Sequence, residues 1–180
     1  MTIYFALLRG INVGGNNMIK MKELKQMFEA IGCERVQTYI NSGNVMFESE
    51  DGAEALEGRI ENEIYKVFGF KIAVILRTES ELTRIIDNCP FEFESLTDGQ
   101  SIHLTLLKDA PTQAEIDSLP DVNHENDEYR IDGKEIYFLY RKSMLDSRLP
   151  KKFQKLTPAT SRNWKTILKL DSMAKALNAR

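Results

Sequence analysis

The hydrophobic pattern of this chain switches repeatedly between strand-like runs and helical stripes. Ile3–Leu8 is an unbroken apolar run, the mark of a buried strand. Met21, Leu24, Met27, Phe28 and Ile31 then recur at helical spacing and predict an amphipathic helix stopped by Gly32. Val36, Thr38 and Ile40 alternate with Arg35, Gln37 and Tyr39, and Asn41-Ser42-Gly43-Asn44 follows as a turn cluster. Val45-Met46-Phe47 returns after it, so the segment reads as a hairpin. Leu56, Ile60, Ile64, Val67 and Phe68 mark a second helix, closed at Gly69, and Phe70–Leu76 is a β-branched strand. The order β-α-β-β-α-β suits an antiparallel sheet with two helices on one face, the ferredoxin-like arrangement.

The second half repeats this order as far as its second helix. Thr78-Glu79-Ser80-Glu81 is a capping box that opens a helix lined by Leu82, Ile85 and Ile86 and closed at Cys89-Pro90. Phe91–Gln100 reads as a loop and Ser101–Leu107 as a strand. Pro111-Thr112-Gln113-Ala114-Glu115 opens a short helix, and Asn123–Asp127 is a polar loop. Tyr129–Ile131 and Lys134–Tyr140 flank Asp132-Gly133, which predicts a hairpin with a type I′ turn. A basic stretch broken at Pro150 leads to a last helix, capped by Thr160 or Ser161, with Trp164, Ile167, Leu168 and Leu177 on its apolar face. The expected fold is α+β: two ferredoxin-like βαββαβ-type subdomains packed together, 1–77 and 78–180, related by an internal duplication.

One connection is too long for its job. Strand-to-helix loops usually take about 2–6 residues, yet the segment after the first strand extends from Arg9 to Lys20. Three glycines and three asparagines fall between Gly10 and Asn17. Glycines let backbone N–H groups approach a ligand, asparagines tolerate left-handed backbone, and Arg9 offers a planar fork for a carboxylate or phosphate. Neither the dinucleotide fingerprint nor the Walker pattern is present, so the loop is not a standard phosphate cradle. A long structural turn is the competing reading.

Composition narrows the class. Of 180 residues, 42% are hydrophobic and 28% charged, as in ordinary globular domains. No apolar run approaches the ~20 residues of a membrane span, and the N-terminus does not read as a secretory signal, so the expected location is the cytoplasm. Cys33 and Cys89 read as core thiols. With only His103 and His124 there is no Cys/His metal spacing, so no metal site is indicated, and the sequence leaves the cofactor open. The net charge of −3 conceals a division: residues 141–180 sum to +9 and residues 1–140 to −12. The basic segment meets either an anionic partner or the protein's own acidic body.

Two further segments share the loop's chemistry. Thr38-Tyr39-Ile40-Asn41-Ser42-Gly43-Asn44 gathers hydroxyl, phenol and amide groups at a hairpin end, although a plain turn explains it equally. Thr160-Ser161-Arg162-Asn163-Trp164-Lys165-Thr166 starts a helix, where unbonded N–H groups form an anion seat beside Arg162 and Lys165. Together with Leu7-Leu8-Arg9-Gly10-Ile11-Asn12-Val13-Gly14-Gly15, these blocks resemble the signature segments of a bacterial family known as domain of unknown function 1697. The resemblance spans essentially the whole chain. It implies a cytoplasmic α+β protein with two ferredoxin-like subdomains, and it implies no reaction. The family pattern often carries Lys where this chain has Asn16, which leaves Arg9 and Lys20 as the cations of the loop.

The candidate ligand-binding residues are therefore Arg9, Asn12, Gly14, Gly15, Asn16, Tyr39, Ser42, Asn44, Arg162 and Asn163. They are rich in donors and poor in bases; no nucleophile–base set is visible, and Glu23 and Asp171 are the only carboxylates singled out as bases. The chemistry suits a site, binding or catalytic, for a small anion such as a phosphorylated metabolite or nucleotide. A nucleic-acid-binding module and a structural or protein-interaction domain, with Trp164 as an interface anchor, are the alternatives.

Overall fold

The computed structural model describes residues 1–121, 127–153 and 155–179. It is an α+β protein with two four-stranded antiparallel sheets. The chain divides into two compact units, one of residues 1–84 and 169–180, the other of residues 85–168.

In the first unit, β1 (Thr2–Leu8), β2 (Glu34–Tyr39), β3 (Asn44–Ser49) and β4 (Val74–Thr78) form a sheet in the order β2-β3-β1-β4. β1 is central, and from Ile3 to Leu8 every residue is buried, which is why its sequence is continuously apolar rather than alternating. Tyr4, Ala6 and Leu8 point into a core shared with α1 (Met21–Ala30) and α2 (Ala53–Phe68). α1 contributes Leu24, Met27 and Phe28, and α2 contributes Leu56, Ile60 and Ile64. Burying each of these large side chains is worth about 1.5–3 kcal/mol. Three of them far outweigh the ~1 kcal/mol cost of Gly58 inside α2. Gly69, with φ 84°, ends that helix in the left-handed conformation and bonds back to the Tyr65 carbonyl.

In the second unit, β5 (Ser101–Leu107), β6 (Glu128–Asp132), β7 (Glu135–Tyr140) and β8 (Ala159–Asn163) form a sheet in the order β6-β7-β5-β8. Its core gathers Leu107, Ile136, Phe138, Tyr140 and Phe153. Phe138 and Phe153 meet edge to face with ring centroids 4.9 Å apart. Two helices here are short: α4 (Gln113–Asp117), opened by the expected Thr112–Glu115 capping box, and α5 (Leu149–Lys152). Arg141, first residue of the basic segment, reaches back to buried Glu128 at 2.5 Å.

α3 (Glu79–Asp87) and α6 (Trp164–Asn178) both continue across the unit boundary. The far end of α6 belongs with the first unit, where Asn178 Nδ2 donates to Glu79 Oε1 at 2.6 Å. Two expectations change. The hairpin after β6 turns on Gly133-Lys134, not Asp132-Gly133. Gly133 alone has positive φ (59°), the type II′ pattern. The last helix is not capped by Thr160 or Ser161. Those residues pair with Leu106 and Thr105 as part of β8, and Asn163 caps α6 by accepting from the Lys165 N–H at 2.9 Å. Of the expected polar loop at Asn123–Asp127, residues 123–126 lie outside the described residues.

His103, on β5, is half-buried with its ring edge-on to Tyr140, centroids 5.2 Å apart. Burial lowers its pKa below the ordinary 6.5. The unfolded chain therefore takes up this proton first as pH falls, and stability is lost from pH about 6.5 down to the lower folded value. Urea midpoints compared across that window are expected to fall less in His103→Gln than in the parent; an identical decline would remove the imidazole from the account.

Candidate functional site

The register brings two of the three polar blocks together. β1 and β3 are antiparallel with Leu7 opposite Asn44, so the exit of β1 and the β2–β3 turn share one end of the sheet. The Leu8 N–H donates to the Gly43 carbonyl at 2.9 Å. Asn12 then ties the segments: its Nδ2 donates to Ile19 O at 2.9 Å and Asn41 O at 2.8 Å, and its Oδ1 accepts from Ile19 N at 2.8 Å. Both carboxamide hydrogens are thus committed, which makes Asn12 a brace instead of the ligand donor expected from sequence. It sits at φ 55°, a conformation asparagine tolerates better than most residues.

The glycine-rich tip is a miniature hairpin. Val13 and Asn16 bridge, with Asn16 N bonded to Val13 O at 3.0 Å and Asn12 N to Asn17 O at 3.2 Å. Gly14 and Gly15 between them have φ 58° and 77°, the type I′ signature. The turn thus accounts for the backbone angles of both glycines. Neither N–H donates to a backbone or side-chain acceptor among the described residues, so both remain available at the exposed tip. Asn17 Nδ2 closes the base of the loop on Gly10 O at 3.1 Å.

Arg9 leaves the sheet at this end. Its N–H is held by Ala73 O at 3.0 Å, so its backbone is positioned. Its exposed guanidinium has no hydrogen-bond or ion-pair partner among the described residues. Lys20 is also exposed and reaches only a loose 3.8 Å contact with Glu23. Asn16 is exposed and Tyr39 half-buried. Asn44 and Ser42 face inward: Asn44 is fully buried and donates to Tyr39 O at 2.9 Å and Ser42 Oγ at 3.1 Å. They shape the turn, and Gly43 is buried between Leu8 and Ile11.

Sequence reasoning missed three residues on this rim. Val13, Met18 and Ile40 are 65%, 62% and 48% exposed. Ile40 also holds φ 49°, an outlier for a β-branched side chain. The only sequence signal was apolar residues inside otherwise polar loops.

The third block lies in the other unit and does something different. Arg162 is buried on β8, donating from Nη1 to Thr160 Oγ1 at 2.5 Å and Ser161 O at 2.9 Å. Desolvation lowers its pKa to about 10, which still leaves it cationic at neutral pH. It was expected to help hold an anion at the start of a helix; the inward turn of alternate β8 residues buries it within the strand instead. Asn163 remains exposed as the α6 cap.

The remaining candidates are quiet. Burial raises the Cys33 thiol to about 11, so it is protonated and unreactive at neutral pH. Cys89 is raised for the same reason. Among the described residues no group of His, Cys, Asp and Glu is placed to hold a metal ion. No helix of the described residues is long and apolar enough to cross a membrane.

The fold and its rim define an α+β protein of two antiparallel sheets whose polar loops are braced by their own asparagine side chains. The chain belongs to the family described as protein of unknown function DUF1697, whose model matches residues 1–137. It is similar to the solved structure of the conserved bacterial protein SP0830 from Streptococcus pneumoniae, with 27% identity and a TM-score of 0.75 over 96% of this chain and 98% of that one. No curated protein matches it.

Proposed function

We propose that the chain binds a small anionic ligand, a phosphorylated metabolite or nucleotide, at the rim formed by the 9–20 loop and the 40–43 turn. The observation that carries this reading is Arg9, an exposed guanidinium on positioned backbone with no protein partner among the described residues. In the same loop the Gly14 and Gly15 N–H groups and the Asn16 carboxamide supply neutral donors, and Tyr39, at the end of β2, supplies a half-buried phenol. Bracing by Asn12 and Asn17 reduces the ordering cost of binding. Its groups are mostly donors, which suits binding or charge stabilisation.

The two sheets, with matching strand orders, read as ferredoxin-like subdomains over 1–77 and 78–180 that descend from one duplicated unit. A protein partner is the second reading of the rim, favoured by the exposed Val13, Met18 and Ile40.

Thermal-shift measurements with inorganic phosphate, sugar phosphates and nucleotides test the first reading. At least one anion is expected to raise the melting temperature. Arg9→Ala should weaken that ligand by about tenfold or more, the loss of a charge-assisted contact, with Arg9→Lys in between. A panel that shifts nothing, or a shift unchanged in Arg9→Ala, overturns it.

A further inference from the structure

The strand registers allow the two sheets to be compared position by position. Phe5 lies opposite Arg77 as Leu104 lies opposite Arg162. Both arginines are buried, and both donate from Nη1 to the carbonyl of the preceding residue, at 2.8 Å and 2.9 Å. With these positions aligned, Tyr4 corresponds to His103, Ala6 to Thr105, Leu76 to Ser161 and Thr78 to Asn163. In the first unit Tyr4, Ala6 and Leu76 are core residues beneath α1 and α2. In the second unit α4 has five residues, none of them buried, and the core collects around β7 and Phe153. The corresponding patch is polar and open: Ser161 and Asn163 are exposed and His103 is half-buried.

A cleft of about 340 Å³ lies at this end of the second sheet, lined in part by Thr97, Asp98, Gln100, Ser101, Asn163 and Lys165. Asp98 and Lys165 are both exposed, and neither side chain has an ion-pair or hydrogen-bond partner among the described residues. Gln100 Oε1 accepts from Thr97 N at 3.0 Å and Asn163 Oδ1 from Lys165 N at 2.9 Å, which orients both carboxamides and leaves their N–H groups to donate. One cleft therefore presents a cation, an anion, amide donors and hydroxyls. A ligand of a single charge meets a like charge in it, whereas a zwitterion satisfies both.

We propose that this cleft is a second ligand site, independent of the Arg9 rim, for a small zwitterion of the amino-acid class. Lys165 pairs with the carboxylate, Asp98 with the ammonium, and Gln100, Ser101 and Asn163 hold a polar side chain.

The test uses the full chain, labelled with nitrogen-15, and four probes: L-serine, L-glutamine, glycerate, which lacks the ammonium, and ethanolamine, which lacks the carboxylate. At least one amino acid is expected to shift the amides of residues 97–102 and 163–165 saturably at millimolar concentration. Glycerate and ethanolamine should bind about tenfold more weakly or worse. Asp98→Asn and Lys165→Gln, both at exposed positions, should each weaken the amino acid to the same degree while leaving the rest of the spectrum unchanged. Silence from both amino acids overturns the proposal. So do equal responses to the truncated probes, or binding that survives both substitutions.

Discussion

Gly43→Ala is expected to be the most damaging single-methyl change in the first unit. A Cβ at this position would lie 2.7 Å from Ile11 Cδ1 and 2.9 Å from Leu8 Cβ. Ile11 is buried, and Leu8 Cβ is fixed to the backbone of a central strand, so neither can retreat cheaply. The φ of 85° adds left-handed strain for any residue with a side chain. Overpacking of this kind costs about 1–3 kcal/mol and the backbone about 1 more, so a loss of roughly 2–4 kcal/mol is expected. Gly15→Ala is the control. Its φ is 77°, but no atom lies within 4 Å of the added carbon, so only the ~1 kcal/mol backbone part should appear. Urea unfolding of both variants checks the argument; equal losses would mean that the approach of the turn to Leu8 and Ile11 is not tight.

Asn12→Ala should be nearly as costly and more informative. It removes three hydrogen bonds and leaves the buried Ile19 N–H without its acceptor. Each bond is worth about 1 kcal/mol net and an orphaned buried donor costs about 1–3, so roughly 2–4 kcal/mol is expected. The substituted residue also inherits φ 55°. The larger consequence is local. The Asn41 carbonyl is held from the loop by this side chain, so its loss should uncouple the two segments. Hydrogen exchange is expected to quicken in residues 13–18 and 40–43 together, while the amides of β7 stay as protected as before. If the anion-binding reading of the rim is right, the response that depends on Arg9 should weaken in this variant too, although Asn12 never touches the ligand. Faster exchange in the 13–18 segment alone would show that the turn does not depend on this brace.

Much of the architecture was legible because its causes are local. The stripe Leu24, Met27, Phe28 and the run Ile3–Leu8 carry their periods in plain sight, and both read correctly. So did the capping box of α4, whose partners lie within one turn of each other. The misreadings share another cause. Thr160-Ser161 looks like a helix cap until Thr105 and Leu106 pair with it, and Ser161 Oγ lies 2.6 Å from Thr105 Oγ1 across the ladder. A residue far away in sequence overrode the local preference.

The same distinction governs the site. The amino-acid sequence by itself determined the element types and their order as far as β7, the family and the location of the polar blocks. Those depend on periodicity and turn chemistry over a few residues. Only the tertiary structure decided which polar groups are occupied and which are available. Asn12 is consumed by Ile19 and Asn41, and Arg162 by its own strand and burial, whereas Arg9, Asp98 and Lys165 keep their charged ends exposed and unpartnered among the described residues. Availability depends on the neighbours that folding supplies to a side chain, and a one-dimensional pattern does not contain them.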